Sequence, residues 1–271
     1  MTDEELDVLT DLAHRMADHA GAAALKHFRA DRLSTDNKAG EAGFDPVTAG
    51  DREAEAAMRA LLTEERPTDG IFGEEHGVFE GTSGLTWVLD PIDGTRAFIS
   101  GLPTWGVLIA LDDGVEGRIG VIDQPFTGER FTGVRGHGAR FARNGATHQI
   151  ATRACDSLSE ATLLTTDISL FTKMEAVAFE DIRQRTRLTR YGMDCYAYAM
   201  VAMGHVDLVI ESGLAAYDIA APAALVEAAG GVATDWQGRD VRWGGRSLVA
   251  GDPRVHAEAL EILSKIPDQE A

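Results

Sequence analysis

The six residues Asp90-Pro91-Ile92-Asp93-Gly94-Thr95 hold the densest potential chemistry in this chain of 271 residues. The apolar run Trp87-Val88-Leu89 puts Asp90 at the carboxyl end of a strand. Pro91 has no N–H to donate, so the regular ladder is expected to stop there. Asp90 and Asp93 can then converge in a turn, with the Ile92 carbonyl between them. Two carboxylates and a carbonyl make a hard, oxygen-rich site that suits Mg²⁺. Gly94 and Thr95 follow as if opening a helix whose exposed N–H groups could hold a phosphate. A plain Asp-Pro turn with a helix cap explains the same spacing, and the residues alone leave both readings open.

Other carboxylates are ambiguous in the same way. Glu74 and Glu75 follow the apolar pair Ile71-Phe72 and could send a side chain toward a metal, or form an exposed acidic turn. His76 reads as a surface residue. Asp218 precedes Pro222, which is expected in the first turn of a helix over 219–229, so Asp218 could be its N-cap. Asp51 with Thr48 resembles a capping box carrying Asp in place of Glu. Asp194 is expected to start a helix that Gly204 ends.

The elements that must position these groups follow from periodicity. A helix is expected over 4–28, with Leu6, Leu9, Leu12, Met16 and Ala20 on one face. The polar stretch from Ser34 to Gly43 reads as a mobile loop, and a second helix opens at Thr48 and ends by Pro67. Strands follow at Trp87-Val88-Leu89, 106–111 and 118–122, with Asp112-Asp113-Gly114 as a hairpin turn. Residues 129–138 extend the same antiparallel pattern. The second half alternates: a helix over about 173–184, a strand over 206–210, a strand over 232–234 and a last helix over about 253–265. This is a mixed-sheet α+β pattern.

Composition bounds the rest. There are 44 acidic against 25 basic residues, a formal charge of −19. Such a chain repels nucleic acid and anionic membrane surfaces. Cys155 and Cys195 have neither CxxC nor metal-ligand spacing and read as reduced structural thiols. The acidic N-terminal segment lacks the basic start and apolar run of a signal peptide, so a cytoplasmic location is expected.

In order and spacing, Val47 to Asp51, Glu74-Glu75, Trp87 to Thr95, Gly136 to Ala139, Tyr217 to Ala221 and Glu227 to Gly231 resemble the inositol monophosphatase superfamily. The likeness spans nearly the whole chain. Thr95 to Pro103, Gly120 to Pro125, Leu188 to Gly192 and Asp194 to Tyr198 look like its bacterial histidinol-phosphatase branch. A longer loop between Lys38 and Asp45 departs from the pattern and puts in doubt whether Lys38 reaches the site. The resemblance implies a layered αβαβα sandwich of the inositol monophosphatase and fructose-1,6-bisphosphatase type. It implies one phosphatase domain over 1–271, with an N-terminal half to about 150 and a C-terminal half from about 151. It implies two or three Mg²⁺ ions on Glu74, Asp90, the Ile92 carbonyl, Asp93 and Asp218. Glu74, Thr95 and Asp51 are then the catalytic residues that orient and deprotonate a water for in-line attack. Gly94 and Thr95 would hold the phosphate, and Asp194 and Glu211 the remainder of a small phosphate monoester. L-histidinol phosphate is the substrate expected from the branch, inositol phosphate the alternative, and a homodimer the expected assembly.

Overall fold

The computed structural model describes residues 1–30, 35–37 and 46–268. Lys38, and most of the loop expected over 34–43, lie outside the described residues; Thr35–Asn37 form a short strand instead of loop.

Helix α1 (Asp3–Leu25) opens on a capping box. Thr2 Oγ1 accepts from the Glu5 N–H, and Glu5 accepts from the Thr2 N–H. Its Leu6, Leu9, Leu12 and Met16 are buried, as their spacing predicts. Strands β1 (Thr35–Asn37) and β2 (Pro46–Thr48) pair antiparallel. Helix α2 (Ala49–Glu65) starts on the expected Thr48–Asp51 box.

Strands β3 (Gly70–Gly73), β4 (Gly77–Phe79) and β5 (Thr86–Asp93) come next, then the short α3 (Thr95–Ile99). Strands β6 (Gly106–Asp112), β7 (Gly117–Gln124), β8 (Glu129–Val134), β9 (Gly138–Arg143) and β10 (Ala146–Ile150) complete an eight-stranded sheet, in the order β10-β9-β8-β7-β6-β5-β3-β4. The Asp112-Asp113-Gly114 hairpin forms as expected, with Asp112 Oδ1 accepting from the Gly114 N–H at 2.7 Å.

The rest of the chain alternates β11 (Thr162–Thr165), α4 (Lys173–Arg185), β12 (Leu188–Tyr191), α5 (Tyr196–Ala202), β13 (Leu208–Leu214), α6 (Ala216–Ala228), β14 (Val232–Thr234), β15 (Gly245–Ala250) and α7 (Pro253–Leu263). Its five strands run in the order β12-β11-β13-β15-β14.

Three cores define five layers. On β6, Val107, Ile109 and Leu111 face α1 and α2, among Leu12, Met16 and Met58. The alternate residues Leu108 and Ala110 face the opposite way, onto Ile219, Leu225 and Val226 of α6. The second sheet repeats the device. Leu164, Val209 and Val249 join α6, while Leu163, Leu208, Ile210 and Leu248 pack on Phe179, Ile182 and Val255 of α4 and α7. The molecule is therefore the αβαβα sandwich.

Helix α6 lies between both sheets, and from Ile219 to Val226 it is apolar on every side, as a stretch sealed from water must be. Glycine lets it come close: a Cβ on Gly120 would sit 2.3 Å from the Ala221 carbonyl oxygen.

Two helix starts differ from expectation. Helix α6 begins at Ala216, so Asp218 is its third residue and not an N-cap. Pro222 therefore sits inside the helix, where it has no N–H to give the Asp218 carbonyl. Asp194 does not start α5. Its φ is 45°, and Cys195 occupies the cap position.

Candidate active site

Strand β5 does not end at Pro91. Asp90 pairs with Leu108 and Asp93 with Gly106, so three steps on β5 match two on β6. The ladder absorbs Pro91 in a bulge. Side chains three apart on a regular strand point to opposite faces. One inserted residue restores the same face. The bulge is thus what brings Asp90 and Asp93 together.

Asp218 joins them from the first turn of α6, where its Oδ2 accepts from the Ala215 N–H at 2.6 Å. One carboxylate oxygen from each of Asp90, Asp93 and Asp218 lies within 4.8 Å of the others. Asp90 Oδ1 also accepts from the Ile92 N–H at 3.0 Å, and Asp93 Oδ2 accepts from the Cys195 N–H at 2.6 Å. Thr95 Oγ1 donates to the Ile92 carbonyl at 3.2 Å. Glu74 leaves the end of β3, its N–H held by the Leu89 carbonyl at 3.2 Å.

These groups line a cavity of about 320 Å³ together with Gly94, Asp194 and Glu211. Gly94 has φ 78°, and a Cβ there would lie 2.9 Å from Asp194 Cβ. Asp194 Oδ2 accepts from Thr104 Oγ1 at 3.0 Å. Glu211, on β13, accepts from the Thr166 N–H at 2.7 Å and from Thr165 Oγ1 at 3.2 Å. Asp51 is buried and is not part of the cavity lining. Its Oδ2 accepts from the Thr48 N–H and hydroxyl, and its Oδ1 is buried with no hydrogen-bond partner among the described residues.

The electrostatics are those of crowded acids. Burial, then repulsion from Glu74, Asp93 and Asp218, pushes the Asp90 carboxyl well above its ordinary range. Burial, then Asp194 and Asp218, does the same to Asp93. Burial also raises Asp51 and Asp194, and pushes Glu211 up to about 7. Carboxylates this close cannot all be ionised in a dry pocket unless a cation offsets them. Every donor in the three-carboxylate group is oxygen, the set a hard divalent ion prefers. The unpartnered Asp51 oxygen faces the same deficit. The residues present therefore fit Mg²⁺.

The cavity brings together Glu74, Asp90, Ile92, Asp93, Gly94, Thr95, Asp194, Glu211 and Asp218. It also includes groups that sequence reasoning missed. Arg96 is on its wall, 3.8 Å from Asp167, and its place beside Thr95 was a usable signal. Thr166 and Tyr198 also line it, while Thr104 and Thr165 bond Asp194 and Glu211 without lining it. The three threonines come from distant segments and carry no local signal, whereas Tyr198 follows Asp194 by four residues.

The inositol monophosphatase family profile matches residues 5–268. A bifunctional phosphatase, IMPL2, of Arabidopsis thaliana is 40% identical over 97% of this chain and 77% of its own. A histidinol-phosphatase of Streptomyces coelicolor is 36% identical over 96% of this chain and 98% of its own. The solved inositol monophosphatase of Zymomonas mobilis superposes with a TM-score of 0.83 at 45% identity, covering 97% of this chain and 99% of that one. Fold and site thus define a phosphatase built on a layered sandwich. The chain belongs to the inositol monophosphatase family, whose members are metal-dependent.

Proposed function

We propose that this chain works as a single Mg²⁺-dependent phosphatase domain that hydrolyses L-histidinol phosphate to L-histidinol and phosphate. Glu74, Asp90, the Ile92 carbonyl, Asp93 and Asp218 would hold two or three ions. When bound, Mg²⁺ offsets the carboxylate charge, polarises the ester and stabilises the leaving oxygen. The N–H groups of Gly94 and Thr95 bind the phosphate oxygens. Thr95 Oγ1 spends its proton on the Ile92 carbonyl. It therefore keeps lone pairs with which to orient a water for in-line attack. Glu74, on the cavity wall, receives the proton, and Asp51, buried behind the lining with Oδ1 unpartnered among the described residues, assists as the second base. In this reading the working form is a cytoplasmic homodimer.

The observation that carries the substrate is the acid pair beyond the metal cluster. Asp194 and Glu211 line the same cavity; Glu211 has no cation beside it among the described residues, and Asp194 has only the longer-range attraction of Arg96 on the same wall, with no salt bridge. Buried carboxylates compensated this little suit a ligand that brings a cation. Histidinol phosphate carries an ammonium and an imidazole. Inositol phosphate is the second reading, supported by the 45% identity to the Zymomonas mobilis protein. The test is a phosphate-release panel with Mg²⁺ present or chelated. Higher kcat/KM on histidinol phosphate than on inositol phosphate supports the first reading, and the reverse order supports the second. Release that survives chelation, or no release from any monoester, overturns both.

A further inference from the structure

Glu55 is a charged side chain with no exposed surface, one helical turn after Asp51 on α2. Residues four apart share a helix face, so α2 presents two carboxylates toward the same side of the first sheet. Asp51 neighbours the acid cluster, and its charge adds to the repulsion on Asp90. Glu55 has a different set of contacts. Its Oε2 accepts from the Glu75 N–H at 2.6 Å, and its Oε1 from the His76 N–H at 3.1 Å. Arg59, one further turn along, donates Nε to Glu55 Oε1 at 2.7 Å and another guanidinium nitrogen to the Gly77 carbonyl.

These bonds all converge on the turn between β3 and β4, which carries Glu74. The Glu74 N–H is held by the Leu89 carbonyl of β5. From Glu74 to Gly77, every residue thus has one main-chain group tied to β5, Glu55 or Arg59. The carboxylate also fills the space above Gly73, where a Cβ would lie 2.1 Å from Glu55 Oε1. A charged group buried this completely is costly unless each oxygen is satisfied, and here each is.

We propose that Glu55 is a positioning residue for the metal site: it fixes the 74–77 turn so that Glu74 is delivered from a preformed backbone. The inference rests on the reading of Glu74 as a Mg²⁺ ligand. Helix α2 then sets the spacing between Asp51 and Glu74, because one rigid helix controls both. Groups that orient a ligand typically cost about 10–100-fold in metal affinity when removed.

The test is Mg²⁺ binding without substrate, by calorimetry, on wild type and Glu55→Gln. Glutamine keeps one acceptor oxygen but places an amide against an N–H or against Arg59. The expected result is a melting curve that stays cooperative, with Mg²⁺ affinity at least about 10-fold weaker. At saturating Mg²⁺ the KM for substrate should be close to wild type, and Glu55→Asp should recover little because it is too short. Affinity within twofold of wild type in a folded Glu55→Gln protein overturns the proposal. A second measurement needs no variant. In metal-free wild type, the Glu75 and His76 amides should already exchange slowly with deuterium; slow exchange only after Mg²⁺ is added also overturns it. Wild type that binds Mg²⁺ but releases no phosphate contradicts the proposed function and leaves this inference standing, so the two fail separately.

Discussion

Replacing Glu211 with glutamine should make the metal-free protein more stable and a poorer enzyme. Burial moves the Glu211 carboxyl from 4.5 to about 7. That displacement corresponds to about 3 kcal/mol between its protonation states. An acid raised on folding binds more protons folded than unfolded between the two values. Its contribution is therefore fully present below pH 4.5 and is lost as pH climbs through 7. At pH 8 the wild-type chain bears the whole cost of a buried, unpaired carboxylate. Glutamine removes that charge and can keep both contacts, since its oxygen can accept from the Thr166 N–H and its amide can donate to the Thr165 hydroxyl. In chelator, Glu211→Gln should melt up to about 5 °C higher than wild type at pH 8. At pH 4.5 the two should melt together. The same variant should raise KM for histidinol phosphate about tenfold or more at pH 8, because a hydrogen bond to a charged acceptor is worth roughly 1.5–3 kcal/mol. Differential scanning calorimetry at several pH values reads the first effect, and steady-state kinetics the second. A gain in melting temperature of equal size at pH 4.5 and 8, or none at pH 8, refutes the reasoning.

Asp194→Ala should lower kcat/KM on histidinol phosphate at least about tenfold, in line with a lost charge-assisted contact; an unchanged value in the same phosphate-release assay removes Asp194 from recognition. Asp90→Asn should abolish Mg²⁺-dependent turnover yet leave the metal-free melting temperature equal or higher, because it relieves repulsion among buried acids. A fall of several degrees in chelator contradicts that. Gly120→Ala should cost roughly 1–3 kcal/mol in urea unfolding, because its Cβ meets the Ala221 carbonyl; a cost under about 0.5 kcal/mol means that α6 yields more readily than its packing indicates.

Much of this was legible in the sequence where the cause is local. The spacing of Leu6, Leu9, Leu12 and Met16 marks the buried face of α1, and Thr48 with Asp51 marks the start of α2. The Asp90–Thr95 motif announces its own convergence, although the means was misjudged: Pro91 shifts the ladder by one residue instead of stopping it. The failures have non-local causes. Ala215 has no capping side chain, so the true start of α6 carries no conventional signal, and Asp218 serves the cap by reaching back to the Ala215 N–H. Asp194 looked like a cap because Asp often is one. Its backbone conformation belongs instead to a crossing where Asp93 takes the Cys195 N–H and Gly94 leaves room for the Asp194 side chain. The Glu211 environment depends on Thr165 and Thr166, more than forty positions away, and no pattern along the chain points to them.

The wedge-like position of α6 has a consequence for how such a protein can change over time. A helix gripped by two sheets cannot tilt without disturbing both, so Asp218 is as immovable as the interior it grows from. Asp194 comes from a connecting segment instead, and Glu211 from β13 where its register shifts. A substitution at Asp194 or Glu211 can therefore change what the pocket admits without moving α6, whereas any shift of Asp218 would have to move a helix packed on both sheets.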